Sequence, residues 1–163
     1  MHILINNKNL YFNNNKVKCA IGKRGIKQKK IEGDQITPKG KFKILGILYR
    51  KDRVRNLKCK LKLTPIKKNM GWCDDSRSKH YNKIITFPFK FRAERLYRKD
   101  NIYDIIAILD YNYNPIKKNK GSAIFIHIAN KKYSNTLGCV ALSKNNLKKV
   151  LKNINSKTRV IIS

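Results

Sequence analysis

Acidic side chains are scarce in this chain: Asp and Glu number 9 against 39 Lys and Arg, a formal charge of +30 over 163 residues. Long apolar runs are missing as well. No stretch approaches the ~18 residues of a membrane span, which excludes an integral helical membrane protein. The first ten residues, MHILINNKNL, lack a basic start followed by an apolar run of about 7–15 residues. The chain as written is therefore expected to carry no secretory leader. Cys19, Cys59, Cys73 and Cys139 form no C-x-x-C pair, which argues against a zinc ribbon or a thioredoxin-like redox site. There is no H-x-x-x-H, no P-loop and no pair of catalytic carboxylates. Neither an internal repeat nor a linker is visible, so residues 1–163 are expected to form one domain.

What the chain has in plenty is Lys, Asn and Ile, together 71 of the 163 residues. These three types share A/T-rich codons, and compositional drift explains the charge as well as a selected polycation would. Lys outnumbers Arg 30 to 9 and is spread from Lys8 to Lys157. Readers of nucleic acid concentrate their charge on one face and favour Arg for bidentate contacts. Loose attraction to anionic polymers is expected, and a specific nucleic-acid partner is not. Apolar residues make up 41%, enough to build a core.

The first 22 residues read as short strands, His2–Ile5, Asn9–Phe12 and Lys16–Ile21. Asn6-Asn7 and Asn13-Asn14-Asn15 separate them, and Asn tolerates the positive φ of tight turns. A glycine-containing loop leads to Thr37-Pro38-Lys39-Gly40, followed by a strand over Lys41–Tyr49. Residues 50–82 are polar and irregular, and Ile84–Phe87 stops at Pro88. Ile102–Leu109 and Ala123–Ile128 are short, Ile-rich runs of the kind found in central buried strands. One helix is expected: Ser143 can cap it, and Leu147, Val150, Leu151 and Ile154 fall at i, i+3, i+4 and i+7. Arg159–Ile162 closes the chain as a last strand. The fold class is mainly β, a sandwich or distorted barrel with one C-terminal helix.

Alternation along Ala123–Ile128 places Ile124, Ile126 and Ile128 on one face of the strand and Phe125 and His127 on the other. Eleven residues beyond His127 stands Gly138, followed by Cys139. A glycine there lets the backbone turn so that amide N–H groups converge where a carbonyl oxygen would sit during attack by the Cys139 sulfur. Cys139 and His127 thus form a candidate thiol pair, with the imidazole expected to favour the ionised thiol. The competing reading is a core Cys and a core His that are merely close in sequence.

Several segments together resemble the L,D-transpeptidase catalytic-domain family. Gly33–Phe42 (GDQITPKGKF) is similar to its T-P-x-G-x-F signature, and His127 followed by Thr136-Leu137-Gly138-Cys139 is similar to its active-site motif. Gly71–Asp75, Tyr81-Asn82, Arg92–Arg98 and Tyr103-Asp104 resemble a compact branch of the family. The likeness runs from about Gly22 to the C-terminus, and it implies a mainly β catalytic domain without metal or organic cofactor. It also implies a peptidoglycan cross-linking enzyme whose Cys139 acylates on a stem peptide, with His127 as base and a backbone carbonyl, that of Ile128, orienting its ring. The acyl group would pass to a diaminopimelate amine, in 1,3 cross-links if the compact branch is followed. A periplasmic or cell-wall location is implied too; with no leader visible, either the start shown omits one, export is unconventional, or the protein acts elsewhere, and the first is favoured.

Three positions depart from the family pattern: Leu137 replaces the second His, Ala141 replaces an Arg, and the His-to-Cys spacing is short. Substrate recognition then falls to other residues. Arg92, Arg95 and Arg98 are candidates for stem-peptide carboxylates, Trp72 and Tyr81 for the cleft walls, and Asp74 and Asp75 for a substrate ammonium or a loop turn. A monomer is expected. Two alternatives remain: a Cys amidase or endopeptidase with water as acceptor, and a non-catalytic basic module that binds polymer.

Overall fold

The computed structural model describes residues 1–163. Ten strands form one curled, open sheet in the order Gly40–Phe42, Arg159–Ile162, His2–Asn6, Asn9–Phe12, Asn15–Ala20, Val140–Leu142, Phe125–Ile128, Ile105–Leu109, Ile44–Tyr49 and Leu63–Pro65. Ile84–Thr86, Met70–Cys73 and Ala93–Arg95 make a second, three-stranded sheet, and Ile26–Lys27 pairs with Thr37–Pro38. The chain is mainly β with one helix, as its residue pattern implied.

The two halves of the large sheet differ as their sequences do. In the N-terminal meander, His2–Asn6 alternates exposed and buried positions, the pattern of a strand with one wet face. Asn7, Asn13 and Asn14 adopt positive φ at its turns, a conformation that Asn enters at lower cost than most residues. Ile105–Leu109 and Phe125–Ile128 are buried at every position, because both faces of this half are covered. One face carries the larger core, in which Ile105, Ala107, Ile124, Ile126, Ile128, Val140 and Leu142 meet Leu147, Val150 and Leu151 of the helix Lys144–Asn153. The opposite face carries a smaller core of Leu48, Trp72, Leu96, Tyr103, Ile106 and Phe125. The Ser143 hydroxyl accepts from the Asn146 amide at 3.2 Å and caps the helix.

The expected strand over Lys41–Tyr49 is in fact two. Gly40–Phe42 pairs with Arg159–Ile162, while Ile44–Tyr49 pairs with Ile105–Leu109 on the far side of the sheet. The break falls at Lys43, whose amide donates to the Asp110 carboxylate at 2.8 Å instead of to a strand neighbour. One segment thus supplies both halves of the sheet and accompanies its curl. The interval 50–82, expected to be irregular, contains Leu63–Pro65 and Met70–Cys73. Both are short and lack an alternating pattern, so periodicity could not reveal them.

Leu151 is fully buried between the helix and the sheet. Leu151→Ala should lower stability by about 2–5 kcal/mol through lost transfer energy and the cavity left behind, read as a reduced denaturant midpoint at unchanged slope.

Candidate active site

Phe125–Ile128 and Val140–Leu142 are neighbours and run parallel, with Ile126 opposite Val140, His127 opposite Ala141 and Ile128 opposite Leu142. Ile124, Ile126 and Ile128 enter the larger core and Phe125 the smaller one, so His127 shares the face of Phe125. Cys139 stands two residues before Ala141 and therefore faces the same way. The sheet delivers both side chains to one cavity of about 570 Å³, which both line. Ala141, between them in register, adds little bulk.

The Cys139 thiol donates to the Ala123 carbonyl at 3.0 Å, and the Phe125 amide donates to its sulfur at 3.4 Å. His127 Nδ1 lies 2.9 Å from the Ile128 carbonyl oxygen. A carbonyl only accepts, so Nδ1 carries the proton and Nε2 is left free to take one. Burial pushes His127 down to about 4, against a weaker opposing pull from the Ile128 carbonyl. Burial pushes Cys139 up to about 12, with the Phe125 amide acting in the other direction. At neutral pH the resting pair is thus a thiol beside a neutral imidazole, not the thiolate expected from the sequence. Burial disfavours the charged form of each group.

The loop ahead of Cys139 is held in place from outside. Gly22 and Thr136 form a bridge in which the Lys23 amide donates to the Thr136 carbonyl and the Thr136 amide to the Ile21 carbonyl. The Gly22 amide donates to the Thr37 hydroxyl at 2.7 Å, so the Thr37-Pro38 segment anchors this loop. The Thr136 hydroxyl donates to the Cys139 carbonyl at 2.6 Å and accepts from the Gly138 amide at 3.1 Å. Gly138 has φ +141, and a Cβ there would stand 3.0 Å from the Ile36 carbonyl oxygen, which is why glycine occupies the position. Because Thr136 uses the Gly138 amide, that group is not available to a substrate oxygen. The Cys139 amide has no partner within the protein.

Of the other residues singled out from the sequence, Asp74, Arg92 and Arg98 line the cavity. Arg92 Nε pairs with Asp74 at 3.0 Å, and Arg98 pairs with Asp100 at 2.6 Å. Trp72, Tyr81, Asp75 and Arg95 do not line it, each for a physical reason. Trp72 is buried edge-on against Phe125, with its indole N–H donated to Asn82 at 3.0 Å. Tyr81 is buried and donates to Glu32 at 2.5 Å. Asp75 accepts from the Arg77 side chain and from the Arg77 and Arg92 amides, which fixes a loop. Arg95 lies over the Phe87 ring at 4.2 Å.

Sequence reading placed Glu94, Tyr103 and Thr136 in family-like segments without giving them a role in the site and did not single out Glu32 or Ser122; all five line the cavity. The Tyr103 ring meets His127 edge-on at 5.3 Å, and its hydroxyl donates to Glu94 at 2.7 Å. One signal was available: Glu32 and Glu94 are the only glutamates in the chain. No group of three or more His, Cys, Asp or Glu is placed to hold a metal ion.

Three expectations follow from the site. The acylation rate should be flat through neutral pH and fall as pH drops through about 4, where His127 takes a proton and ceases to be a base. Simple alkylation of Cys139 should climb into the alkaline range with no plateau near pH 7, since burial raises the thiol. An inflection near 6–7 in either profile would contradict the neutral pair. Thr136→Val, which removes both loop hydrogen bonds, should cost about 1–3 kcal/mol in stability and reduce turnover.

Comparison with known families matched the chain to one model, YkuD, described as the L,D-transpeptidase catalytic domain, over residues 1–162. No curated protein matched.

Proposed function

The chain belongs to the L,D-transpeptidase catalytic-domain family, a transpeptidase-type enzyme of peptidoglycan metabolism, and from that premise we propose that Cys139 is its nucleophile and His127 its base. Cys139 Sγ attacks the carbonyl carbon that follows an L-centre in a donor stem peptide, and its proton passes to His127 Nε2 as the S–C bond forms. The charge that develops on the carbonyl oxygen is met by the unpartnered Cys139 amide. Collapse of the intermediate breaks the C–N bond, and the departing amine takes the proton back from Nε2. The resulting thioester is attacked by the side-chain amine of a diaminopimelate residue in a neighbouring stem. That amine gives its proton to Nε2, and the sulfur leaves and recovers it.

The observation that carries this reading is the hydrogen bond from His127 Nδ1 to the Ile128 carbonyl at 2.9 Å. It fixes the tautomer with Nε2 unprotonated, on the same sheet face as the Cys139 thiol. A core histidine with no chemical role would gain nothing from leaving its second nitrogen bare in a cavity. Arg92 and Arg98 are proposed to share stem-peptide carboxylates with Asp74 and Asp100, their present partners. Asp75, Trp72, Tyr81 and Arg95 contribute by holding the walls. The protein is proposed to act as one domain, as a monomer and without a cofactor, at the cell wall, where its positive charge favours anionic polymer. Likeness to the compact family branch supports 1,3 cross-links, in which the donor is cut after its first residue.

Incubation with purified muropeptides, followed by mass spectrometry of the products, tests the reaction and the linkage together. Cross-linked dimers should form with the wild-type protein and disappear with Cys139→Ser. His127→Ala should lower turnover by about 10²–10⁴-fold, the range for loss of a general base. Cys19→Ser and Cys59→Ser should stay active. Full activity in Cys139→Ser would exclude this assignment.

A further inference from the structure

Six of the chain's nine carboxylates, Asp34, Asp52, Asp74, Asp75, Asp100 and Asp104, sit in ion pairs with Lys or Arg. With 39 cationic side chains available, that pairing is unsurprising. Glu32 and Glu94 are unpaired with any cation, and both line the cavity that holds Cys139 and His127. Each has only a tyrosine hydroxyl as side-chain partner: Tyr81 donates to Glu32 Oε2 at 2.5 Å, and Tyr103 donates to Glu94 Oε1 at 2.7 Å. The second oxygen of each carboxylate is unbonded. The two arginines on the wall attract them without pairing with them: Arg98 draws the Glu94 carboxyl down more weakly than burial raises it, and the ion pairs themselves go from Arg92 to Asp74 and from Arg98 to Asp100. No lysine lines the cavity, although the chain contains 30.

A second observation points the same way. Ser122 lines this cavity, is only 6% exposed, and its hydroxyl has no hydrogen-bond partner. The neighbouring Tyr81 hydroxyl donates to Glu32 and accepts from the Gly121 amide at 2.9 Å, and Ser122 adjoins it outside hydrogen-bond geometry. A buried hydroxyl left without a partner costs stability unless a ligand completes it. A carboxylate drawn out of water without a cation is also costly, and burial accordingly raises the Glu94 carboxyl.

We propose that Glu94 and Glu32, with the Ser122 hydroxyl, form an ammonium-binding subsite that holds the amine of the acyl acceptor before it attacks the Cys139 thioester. The assignment rests on the acyl-transfer reading and adds to it the residues that select a cationic acceptor over water. The three groups supply two anionic oxygens and one neutral oxygen, a set that matches the three N–H donors of a primary ammonium. The Glu94 carboxylate takes one of those protons and later releases it to solvent, so that the nitrogen lone pair is free to attack while its second proton goes to His127 Nε2. The subsite also explains how a chain of charge +30 recruits a cation: its lysines stay off the cavity wall while two carboxylates there are left without an ion-pair partner.

The test is the partition of the thioester between two fates, cross-linked dimer and hydrolysed donor, at a fixed concentration of a free tripeptide stem ending in diaminopimelate. Glu94→Gln keeps the side chain's size and its acceptor oxygen for Tyr103. It should lower the dimer-to-hydrolysis ratio about tenfold, the loss expected when one charge-assisted hydrogen bond is weakened. Glu32→Gln should act in the same direction, and Ser122→Ala more weakly. A residue that merely positions His127 would slow both fates together and leave the ratio unchanged. An unchanged ratio in all three variants would overturn the subsite while leaving the acyl-transfer reading intact. Failure of the wild-type protein to form any thioester would overturn both.

Discussion

In the parallel pairing of Phe125–Ile128 with Val140–Leu142, a slip of one residue would turn the Cys139 sulfur toward the helix and bury it in the larger core. The register is fixed from both faces. Ile124, Ile126, Ile128, Val140 and Leu142 pack on one side, and Phe125 packs on the other against Trp72 and Tyr103. The connection between the two strands is short for a parallel crossover and contains no helix. Its path is instead set by the bridge to Gly22 and by the Thr136 hydroxyl. Residues that do not line the cavity, Thr37 among them, thereby help to decide where the thiol points.

That placement also decides the electrostatics. Bringing His127 and Cys139 together at a buried sheet face desolvates both, so the pair rests neutral, and charge is created only as bonds change. Surface cations are screened within about 10 Å at moderate salt, so the chain's charge of +30 need not disturb a pair that carries none. The cost is a nucleophile with little thiolate at rest, which makes proton transfer to Nε2 part of the attack. Chemistry of this kind is insensitive to drift of surface residues toward Lys, provided the cavity wall is spared.

Much of this was legible in the residues. Alternation along Ala123–Ile128 separated His127 from the isoleucines, and the Gly138-Cys139 step marked a turn that the structure realises with φ +141. The helix followed directly from Ser143 and the spacing of Leu147, Val150 and Leu151. What periodicity could not show was the break at Lys43, because both halves of Lys41–Tyr49 look equally strand-like and only their partners differ. Three-residue strands such as Ala93–Arg95 carry too few positions to display a period. The protonation state of the thiol was not legible for a related reason: proximity is visible in a motif, but the extent of desolvation depends on what packs around it. Trp72 and Tyr81 were legible as large aromatics, while their assignment to core or cleft required the tertiary fold.

The most direct measurement is acid quenching of the enzyme during turnover of a stem-peptide donor, followed by peptide mapping. A thioester equal in mass to the acyl part of the donor should appear on the peptide containing Cys139, and none should accumulate on Cys19, Cys59 or Cys73. Turnover with Cys139 unmodified throughout, or an acyl group on one of the other three cysteines, would contradict the central role of the paired strands and of the thiol they present.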